Sequence, residues 1–354
     1  MAKKFLLKNN QTIGEAAIRY GIRYFFGYPI TPQNELTEYM AEWLPQVGGV
    51  FFQPESEVAG INMAAGCASA GKFPMVSTSG PGISLMSEGL SFLACAELPC
   101  LVVNAMRVGP GDGDIRGSQG DYLQATKGGG HGDYHVIVIA PSSGQKIIHD
   151  VRRAIELANR YRSPVILLVD GLLAQMSEPV TFPRPKDYTI YEKKWTLTGA
   201  KGRERNLIQT YVNTVEDAEA QHLRLQRKYR EIQSKEQRWE ELEVADAEVV
   251  LVAFGIAGRI AINIVKKARS VGLKVGLIQP STLWPFPEKA FRRLPPDLHS
   301  FLVIEVNAGQ MVEDVKLAVN GRAPVRFFGT LGGRVPSESE ILRLLKRLVR
   351  RRYR

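Results

Sequence analysis

The sequence predicts an α/β fold: a doubly wound parallel sheet, followed by a second, smaller α/β unit. In residues 1–185 short apolar segments alternate with helix-forming segments, which is typical of parallel strands covered by helices on both faces. The composition becomes strongly charged over 186–245, and the alternation returns over 246–354. We therefore expect one unit over 1–185, a charged helical connector over 186–245, and a second α/β unit with a basic tail over 246–354.

The first unit is expected to alternate strictly between strand and helix. Its predicted elements are a helix over 11–20, a strand over 22–29, a helix over 34–44, a strand over 47–53, a helix over 57–70, a strand, Gly-Pro-Gly turn and helix over 75–97, a strand over 99–107, a strand over 135–143, a helix over 145–161 and a strand over 164–173. The glycine-rich stretch 108–135 has no regular pattern and is interpreted as a long loop, which in compact domains is usually functional or disordered.

The connector and the second unit follow the same reasoning. Residues 215–243 are predicted to form one long polar helix lying on a surface. The second unit is predicted to contain a strand over 247–255, a helix over 256–272, a strand ending in a proline-braced turn over 273–287, a strand and turn over 299–311, a strand over 325–333 and a final helix from Ser337 or Ser339.

Charge, cysteines and hydropathy limit the classes of function. The net charge is +10, but the basic excess is strongest at 343–354, which favours a solvated helix end or an acidic partner subunit over nucleic acid. Cys67, Cys95 and Cys100 form no CxxC pair, so they are expected to be buried thiols that cannot by themselves build an iron–sulfur or zinc site. Because the chain has neither a signal-peptide segment nor an apolar run long enough for a membrane helix, we expect a cytoplasmic protein.

Two features of the first unit are candidates for chemistry. Thr31 lies between Pro29 and Pro32 directly after an apolar strand, and the prolines restrict the backbone, so the threonine hydroxyl is held in a nearly fixed place. Farther along, Glu55 and Glu57 end a second apolar strand and open a helix rich in small residues, where the helix dipole favours a carboxylate. Each feature alone also has a purely structural reading, as a turn and as an N-capping acid.

Several glycine-rich segments resemble nucleotide-binding or diphosphate-binding motifs only in part. The segments 109–113 and 128–133 match neither a dinucleotide fingerprint nor a P-loop. The segment 253–261 comes closer, which leaves a nucleotide-dependent dehydrogenase as a rival, but it lacks the first glycine of the fingerprint, and Gln279 stands where an acidic residue is expected. The Gly-Asp-Gly at 111–113 is not followed by the asparagine pair that completes a metal–diphosphate motif.

The order of motifs resembles the alpha-type subunit of the 2-oxoacid:ferredoxin oxidoreductase family, and most of all its branched-chain members. The motifs are YPITP at 28–32, ESE at 55–57, TSGPG at 78–82, a strand ending at Arg107, SQGDYLQATKGGGHGDY at 118–134, WTLTGAKG at 195–202, QPSTLWPFP at 279–287 and EVNAGQM at 305–311. The resemblance covers nearly the whole chain. The 2-oxoglutarate members are also similar, and the pyruvate members are more distant.

This resemblance implies a fold, a reaction and a division of labour. The first unit would be the pyrimidine-binding half of a thiamine diphosphate site, and the second would resemble the C-terminal domain of transketolase. A beta subunit would supply the Mg²⁺ and diphosphate half and a [4Fe-4S] cluster, and gamma and ferredoxin-like subunits would complete the complex. The implied reaction is oxidative decarboxylation of a 2-oxo acid with CoA, with ferredoxin as electron acceptor. This chain alone would bind neither the metal nor a cluster.

The resemblance also implies roles for individual residues. Glu57, preferred over Glu55, would hydrogen-bond to N1′ of the cofactor's aminopyrimidine ring. Arg107 would pair with the substrate carboxylate, and the Thr31 hydroxyl would bind that carboxylate or the carbonyl oxygen. The remaining cofactor contacts are expected at two turns: Pro29, Ile30, Ser79, Gly80 and Pro81. A rival interpretation is a non-catalytic scaffold of the same fold.

The loop after Arg107 departs from the pattern of related sequences. It carries Asp112, Asp114 and Arg116 near the expected substrate site. If an aspartate faces the pocket, it would repel the distal carboxylate of 2-oxoglutarate, which favours a branched-chain substrate. Arg116 could instead bind that carboxylate or pair with the aspartates, and all three could be solvated loop charges.

Overall fold

The computed structural model describes residues 3–183, 193–293 and 295–350. The elements of the first part are β1 Phe5–Lys8, α1 Asn9–Arg19, β2 Tyr24–Gly27, α2 Asn34–Trp43, β3 Val50–Phe52, α3 Glu57–Ser69, β4 Pro74–Thr78, α4 Pro81–Cys95, β5 Cys100–Val108, β6 Asp114–Gly117, α5 Tyr122–Lys127, β7 Ile137–Ile139, α6 Gly144–Tyr161, β8 Pro164–Asp170, α7 Gly171–Gln175 and β9 Ser177–Val180. Those of the second part are α8 Val215–Lys235, β10 Trp239–Leu242, β11 Val249–Val252, α9 Gly255–Ser270, β12 Val275–Pro280, β13 Thr282–Trp284, β14 Ser300–Glu305, α10 Met311–Val319, β15 Val325–Gly329 and α11 Glu338–Arg350.

The first sheet has the predicted doubly wound parallel arrangement. Its strands lie in the order β13, β7, β8, β5, β4, β2 and β3, and β6 pairs with β5. The central strands are apolar on both faces because helices cover both sides, and β4, β5 and β8 are almost entirely buried. Since β2, β4 and β5 are parallel neighbours, the loops that follow their carboxyl ends meet at one edge of the sheet. That edge holds the candidate site.

The second unit is a five-stranded sheet in the order β10, β12, β11, β14 and β15. Helices α9 and α11 pack over it with a separate apolar cluster centred on Val265, Leu277 and Leu345. The predicted fold class, a doubly wound α/β unit followed by a second α/β unit, is confirmed. The two units are also connected by main-chain pairing, because β13 pairs antiparallel with β7 at the edge of the first sheet.

The charged connector differs from its prediction. The long helix ends at Lys235 instead of continuing to residue 243, and Trp239–Leu242 is a strand that pairs antiparallel with β12. The strand is Trp-Glu-Glu-Leu and lies at the edge of the sheet, where its two acidic side chains remain exposed to solvent. The helix itself is not fully solvated, since it buries Leu225, Tyr229 and Ile232. The expected boundary between 185 and 186 and the end of the basic tail, 351–354, lie outside the described residues.

The glycine-rich stretch 108–135 is also more ordered than expected. It contains the short strand β6 and the helix α5. The Gly-Asp-Gly of this stretch is the turn between β5 and β6, where Gly111 and Gly113 have φ of +66° and +63°. A Cβ on Gly113 would lie 1.8 Å from the Val108 carbonyl oxygen, so the turn requires glycine there. The expected Gly-Pro-Gly turn at 80–82 is the start of helix α4, with Pro81 as its first residue.

Four further elements were not predicted: the paired strands β1 and β9 and the helices α7 and α10. The predicted strand over 164–173 ends at Asp170, and α7 follows it. The strands are only four residues each, too short for a periodic signal. The cysteine prediction is correct only for Cys100, because Cys67 and Cys95 are half-buried. Burial nevertheless raises the pKa of the Cys67 thiol to about 12. Within the described ranges, no helix has both the length and the apolar character needed to cross a membrane.

Candidate functional site

The site is built around the first turn of α4. This turn follows β4, beside the loop after β2 and the end of β5. Gly80 precedes the helix with φ of +51°, a conformation that glycine adopts without strain. A Cβ on Gly80 would lie 2.6 Å from Arg107 Nε, and one on Gly82 would lie 2.3 Å from Glu57 Oε1. The two glycines therefore let Arg107 and Glu57 approach the same helix turn.

Glu57 is buried, with 4 % of its surface exposed. It is the first residue of α3, after Ser56, whose hydroxyl accepts a hydrogen bond from the Ala59 amide and caps the helix. The capping role is thus filled by Ser56 and not by an acid. The Glu57 carboxylate accepts one side-chain hydrogen bond from the described residues, from Thr78 Oγ1 at 3.3 Å. A buried carboxylate with so few donors is available to a ligand.

Glu55 has a different environment. It is exposed in the turn between β3 and α3 and makes no side-chain hydrogen bond within the described ranges. Water competes with a ligand for the oxygens of an exposed carboxylate, so Glu55 is less suited than a buried acid to binding a ring nitrogen. The structure therefore separates the two predicted acids clearly: Glu57 faces the interior and Glu55 faces solvent.

The loop after β2 presents Thr31 to the same region. Pro29 is exposed, while Ile30 and Thr31 are half-buried. Asn34 Nδ2 donates to Thr31 Oγ1 at 3.1 Å. Because this bond uses the oxygen as acceptor, the Thr31 hydroxyl proton remains free to donate to a ligand oxygen.

The Ser79 hydroxyl, by contrast, is buried and donates to the Ala105 carbonyl at 2.6 Å. Its side chain therefore joins β4 to β5, and only its main chain faces the helix turn.

Arg107 is the buried cation of the site, with 7 % exposure. Its Nη1 donates to the Thr31 carbonyl at 3.1 Å, and its Nη2 donates to the Asp112 carbonyl at 2.8 Å and to Asp112 Oδ1 at 2.6 Å. Its Nε has no partner among the described residues, although it is buried. The guanidinium is therefore held in place while one donor remains unused.

The charges of the loop after Arg107 fall into two ion pairs. Asp112 pairs with Arg107, and Asp114 pairs with Arg116 through two side-chain hydrogen bonds of 3.0 and 2.8 Å. The Arg116 hydrogen bonds hold the pKa of the exposed Asp114 carboxyl down at about 2. Of the alternatives considered for Arg116, pairing with an aspartate is the one that the structure contains. The pairing of Asp112 with Arg107 was not foreseen.

A second acid lies behind Arg107. Asn104 Nδ2 donates to Asp121 Oδ2 at 3.0 Å. Burial raises the pKa of Asp121, and the charge of Arg107 opposes that shift. Asp121 makes no hydrogen bond to Arg107, so Asp112 is the carboxylate that pairs with the guanidinium.

The motif SQGDYLQATK, which contains Asp121, and the motif EVNAGQM also join the two units. The Gln119 amide donates to the Val306 carbonyl at 2.9 Å, and the Val306 amide donates to Gln119 Oε1 at 3.0 Å. Tyr122 donates to Asp314 at 2.6 Å, and Lys127 forms an ion pair with the same carboxylate. These motifs are therefore interface elements between the units, a role that their sequence alone does not reveal.

Glu305 is the centre of the second motif. It ends β14 and is fully buried. Its carboxylate accepts hydrogen bonds from Met311 N at 2.8 Å, Val312 N at 3.0 Å and Asn307 Nδ2 at 2.9 Å, with longer bonds from Gln310 N at 3.3 Å. Burial raises its pKa, and the hydrogen bonds act in the opposite direction. Glu305 thus caps the N-terminus of α10 from the preceding strand.

The dinucleotide-like segment 253–261 also serves the junction. A Cβ on Gly255 would lie 2.0 Å from Asp170 Oδ2, and one on Gly258 would lie 2.3 Å from Gln279 Nε2. Protein side chains therefore fill the space above these glycines, which argues against a nucleotide-dependent dehydrogenase on the second unit. No group of three or more potential metal-ligating side chains occurs in the part of the chain that the structure describes.

Comparison with protein families identifies the family of this chain. Residues 15–250 match the family described as pyruvate flavodoxin/ferredoxin oxidoreductase, thiamine diphosphate-binding. Residues 247–341 match core domain II of pyruvate:ferredoxin oxidoreductase. The fold is thus that of a thiamine diphosphate-binding oxidoreductase subunit. The chain belongs to the 2-oxoacid:ferredoxin oxidoreductase family, as an alpha-type subunit.

Curated relatives agree over nearly the full length. The chain is 42% identical over 343 residues to a ketoisovalerate oxidoreductase subunit VorB of Methanothermobacter marburgensis, covering 97% of both chains. It is 36% identical to a 2-oxoglutarate synthase subunit KorA of Archaeoglobus fulgidus, covering 92% of this chain and 95% of the relative. Both relatives are named as subunits of larger enzymes.

Solved structures support the fold. The 2-oxoglutarate:ferredoxin oxidoreductase of Magnetococcus marinus, with 2-oxoglutarate, coenzyme A and succinyl-CoA bound, superposes with a TM-score of 0.90 at 27% identity. The match covers 98% of this chain and 66% of that chain. An inactive beta4 tetramer of a split-gene transketolase gives a TM-score of 0.58 at 12% identity, covering 96% of this chain and 97% of the other, which supports the fold alone.

Proposed function

We propose that this chain supplies Glu57, Thr31 and Arg107 to an active site that oxidatively decarboxylates a branched-chain 2-oxo acid. The observation that carries the proposal is the Glu57 carboxylate, which is 4 % exposed, faces the first turn of α4 and has, among the described residues, a single hydrogen-bond donor at 3.3 Å. Buried carboxylates normally accept several hydrogen bonds, so Glu57 is suited to a ligand that donates a further hydrogen bond to it.

The residues present fit the aminopyrimidine half of thiamine diphosphate. Gly80 and Gly82 let the side chains of Arg107 and Glu57 lie directly against the first turn of α4, where a Cβ would displace them. When bound, the cofactor supplies the nucleophilic carbon and the electron sink that decarboxylation needs. Glu57 would hold a proton at ring nitrogen N1′, which favours the reactive imino form. Pro29, Ile30, Ser79, Gly80 and Pro81 would complete the contacts, Ser79 through its main chain.

Arg107 and Thr31 would hold the substrate. The guanidinium is held by the main-chain carbonyls of Thr31 and Asp112, so it can pair with the substrate carboxylate without much loss of side-chain freedom. The free hydroxyl proton of Thr31 can bind the same carboxylate or the carbonyl oxygen. Binding of the carboxylate must not be too strong, because that group leaves as CO₂.

The rest of the active site would come from partner subunits. We propose a beta subunit that binds Mg²⁺, the diphosphate and a [4Fe-4S] cluster, together with a gamma subunit and a ferredoxin-like subunit that passes electrons to ferredoxin. The helices that begin at the site expose Val58 and Leu85, with 43 % and 51 % of their surface accessible. Such apolar residues beside an open site are suited to covering by a partner. CoA would accept the acyl group.

The proposed organisation keeps three regions, 1–185, 186–245 and 246–354, and the strand β10 at the end of the middle region pairs with β12 of the second unit. A cytoplasmic location stays a prediction from the sequence. The non-catalytic scaffold is disfavoured by the convergence of Thr31, Glu57 and Arg107 at one helix turn, which a scaffold does not need.

Two experiments test the proposal. Assays of the co-expressed complex should give a higher kcat/KM for 3-methyl-2-oxobutanoate than for 2-oxoglutarate or pyruvate; the VorB relative favours this order. A preference for 2-oxoglutarate that Arg116→Ala abolishes would overturn it and support the activity named for the KorA relatives. Calorimetry should detect no tight binding of thiamine diphosphate to this chain alone, and micromolar binding would contradict the divided site.

A further inference from the structure

The contacts of Arg107 carry an inference that rests on the proposed function. A buried guanidinium needs a counter-charge when no substrate is present, because an uncompensated buried charge is strongly destabilising. The structure provides that charge from Asp112, whose Oδ1 lies 2.6 Å from Arg107 Nη2. The other nearby acid, Asp121, is bonded to Asn104 instead. We propose that Asp112 is a resident counter-ion that occupies Arg107 and must be displaced by the substrate carboxylate.

The geometry of the pair makes displacement feasible. Nε and Nη2 form one edge of the guanidinium, and a carboxylate that binds both makes two parallel hydrogen bonds. Asp112 engages Nη2 only, and Nε is buried without a partner among the described residues. A substrate carboxylate that takes both donors therefore makes one charge-assisted bond more than Asp112 does.

The burial of the two partners also favours exchange. The Asp112 side chain is 96% exposed, whereas that of Arg107 is 8% exposed. The Asp112 carboxylate thus has little packing to lose and can return to water, while the Asp112 carbonyl still accepts from Nη2 at 2.8 Å. Arg107 keeps its bond to the Thr31 carbonyl, at 3.1 Å from Nη1, and so stays in place. Arg107 thus stays in position while the substrate carboxylate replaces the Asp112 carboxylate.

This role has a consequence for affinity. While Asp112 occupies the guanidinium, only a fraction of the molecules can bind the substrate carboxylate, and the apparent dissociation constant is the intrinsic value divided by that fraction. Asp112 therefore weakens substrate binding, but it neutralises the buried charge of Arg107 in the free enzyme. Weak binding of this carboxylate suits the reaction, because the group leaves as CO₂.

The test compares Asp112→Asn with Asp114→Asn in the co-expressed complex. Both variants remove one negative charge from the same loop, but Asp114 pairs with Arg116, away from the guanidinium of Arg107. The measurements are kcat and KM for 3-methyl-2-oxobutanoate and the inhibition constant of 3-methylbutanoate, a carboxylate without the 2-oxo group.

Asp112→Asn should lower both KM and the inhibition constant by roughly three- to thirtyfold, as expected when a competing anion is removed, with kcat within about twofold of wild type. Asp114→Asn should leave all three values within about twofold. An unchanged or raised inhibition constant in Asp112→Asn overturns the inference, because it would mean that Asp112 only supports Arg107.

Arg107→Ala separates this inference from the proposed function, with Arg107→Lys as a second variant if the alanine form does not assemble. If the Arg107 variants raise the inhibition constant but Asp112→Asn does not lower it, only the role of Asp112 is wrong. If the Arg107 variants leave it unchanged, Arg107 does not bind the carboxylate, and both proposals fail.

Discussion

Glu57 and Glu305 are both buried carboxylates next to the N-terminus of a helix, yet their surroundings differ. Glu305 accepts hydrogen bonds from the amides of Gln310, Met311 and Val312 and from the Asn307 side chain. Glu57 accepts one, from a threonine hydroxyl. Every donor that Glu305 needs is supplied by its own chain, so its function is complete in the folded protein. The smaller number of hydrogen-bond donors around Glu57 favours a role in binding a ligand.

The largest effect should come from Glu57→Gln, which keeps the shape of the side chain and removes its acid. We expect the complex to assemble and kcat/KM to fall by roughly two to four orders of magnitude, as for loss of an acid–base group. Steady-state reduction of ferredoxin measures this. Glu55→Gln is the matched control, because Glu55 is exposed, and its rate should stay within about threefold of wild type. An equal loss of kcat/KM in both variants would contradict the assignment of the acid–base role to Glu57 rather than Glu55.

Glu305→Ala should show the opposite pattern, with its main effect on stability. Removing this acceptor leaves the first amides of α10 without partners in a buried place, and each such group costs about 1–3 kcal/mol. We expect Tm of the full chain to fall by several degrees or more, measured by thermal unfolding. Glu313→Ala, an exposed position in the first turn of α10, is the control and should change Tm little. A normal Tm in Glu305→Ala would contradict the structural role.

A smaller effect is expected from pH at the junction of the two units. Asp170 is buried and accepts a hydrogen bond from the Ile256 amide at 2.8 Å. Burial raises the pKa of Asp170 from 3.8 to about 7. The folded state thus holds the proton more tightly than the unfolded state. The stability that this gives is fully present below about pH 4 and is lost as the pH rises to about 7.

Asp170→Asn should remove this dependence. The difference in Tm between wild type and the variant should favour wild type more at pH 5 than at pH 7.5, by an amount that corresponds to at most about 2–3 kcal/mol. Thermal unfolding of the two full-length chains at both pH values measures it. A difference that does not change with pH would mean that Asp170 is ionised throughout this range.

The sequence predicts the parts of this protein that depend on local patterns. Buried parallel strands such as β4, β5 and β8 are continuous apolar runs, and the helices between them carry clear periodicity, so the doubly wound unit follows directly. The acidic pair Glu55 and Glu57 was also identifiable from its place after an apolar strand, whereas the choice of Glu57 came from the family resemblance and stays a prediction.

What the sequence does not predict depends on long-range contacts. The ion pair between Arg107 and Asp112 requires the tight turn at Gly111 and Gly113, which folds β6 back onto β5. The strand Trp239–Leu242 has a polar pattern that continues the preceding helix, and only its partner β12 makes it a strand. The pairing of Gln119 with Val306 joins positions 187 residues apart. No periodicity reports such contacts.

The most direct test of the account is proton exchange at C2 of thiamine diphosphate bound to the assembled complex, followed by NMR. The account predicts that Glu57→Gln keeps cofactor binding and normal Tm, and slows this exchange by roughly two to four orders of magnitude. The same measurement on Glu55→Gln should give the wild-type rate. Exchange at the wild-type rate in Glu57→Gln would mean that another acid holds N1′, and the central assignment of Glu57 would be wrong.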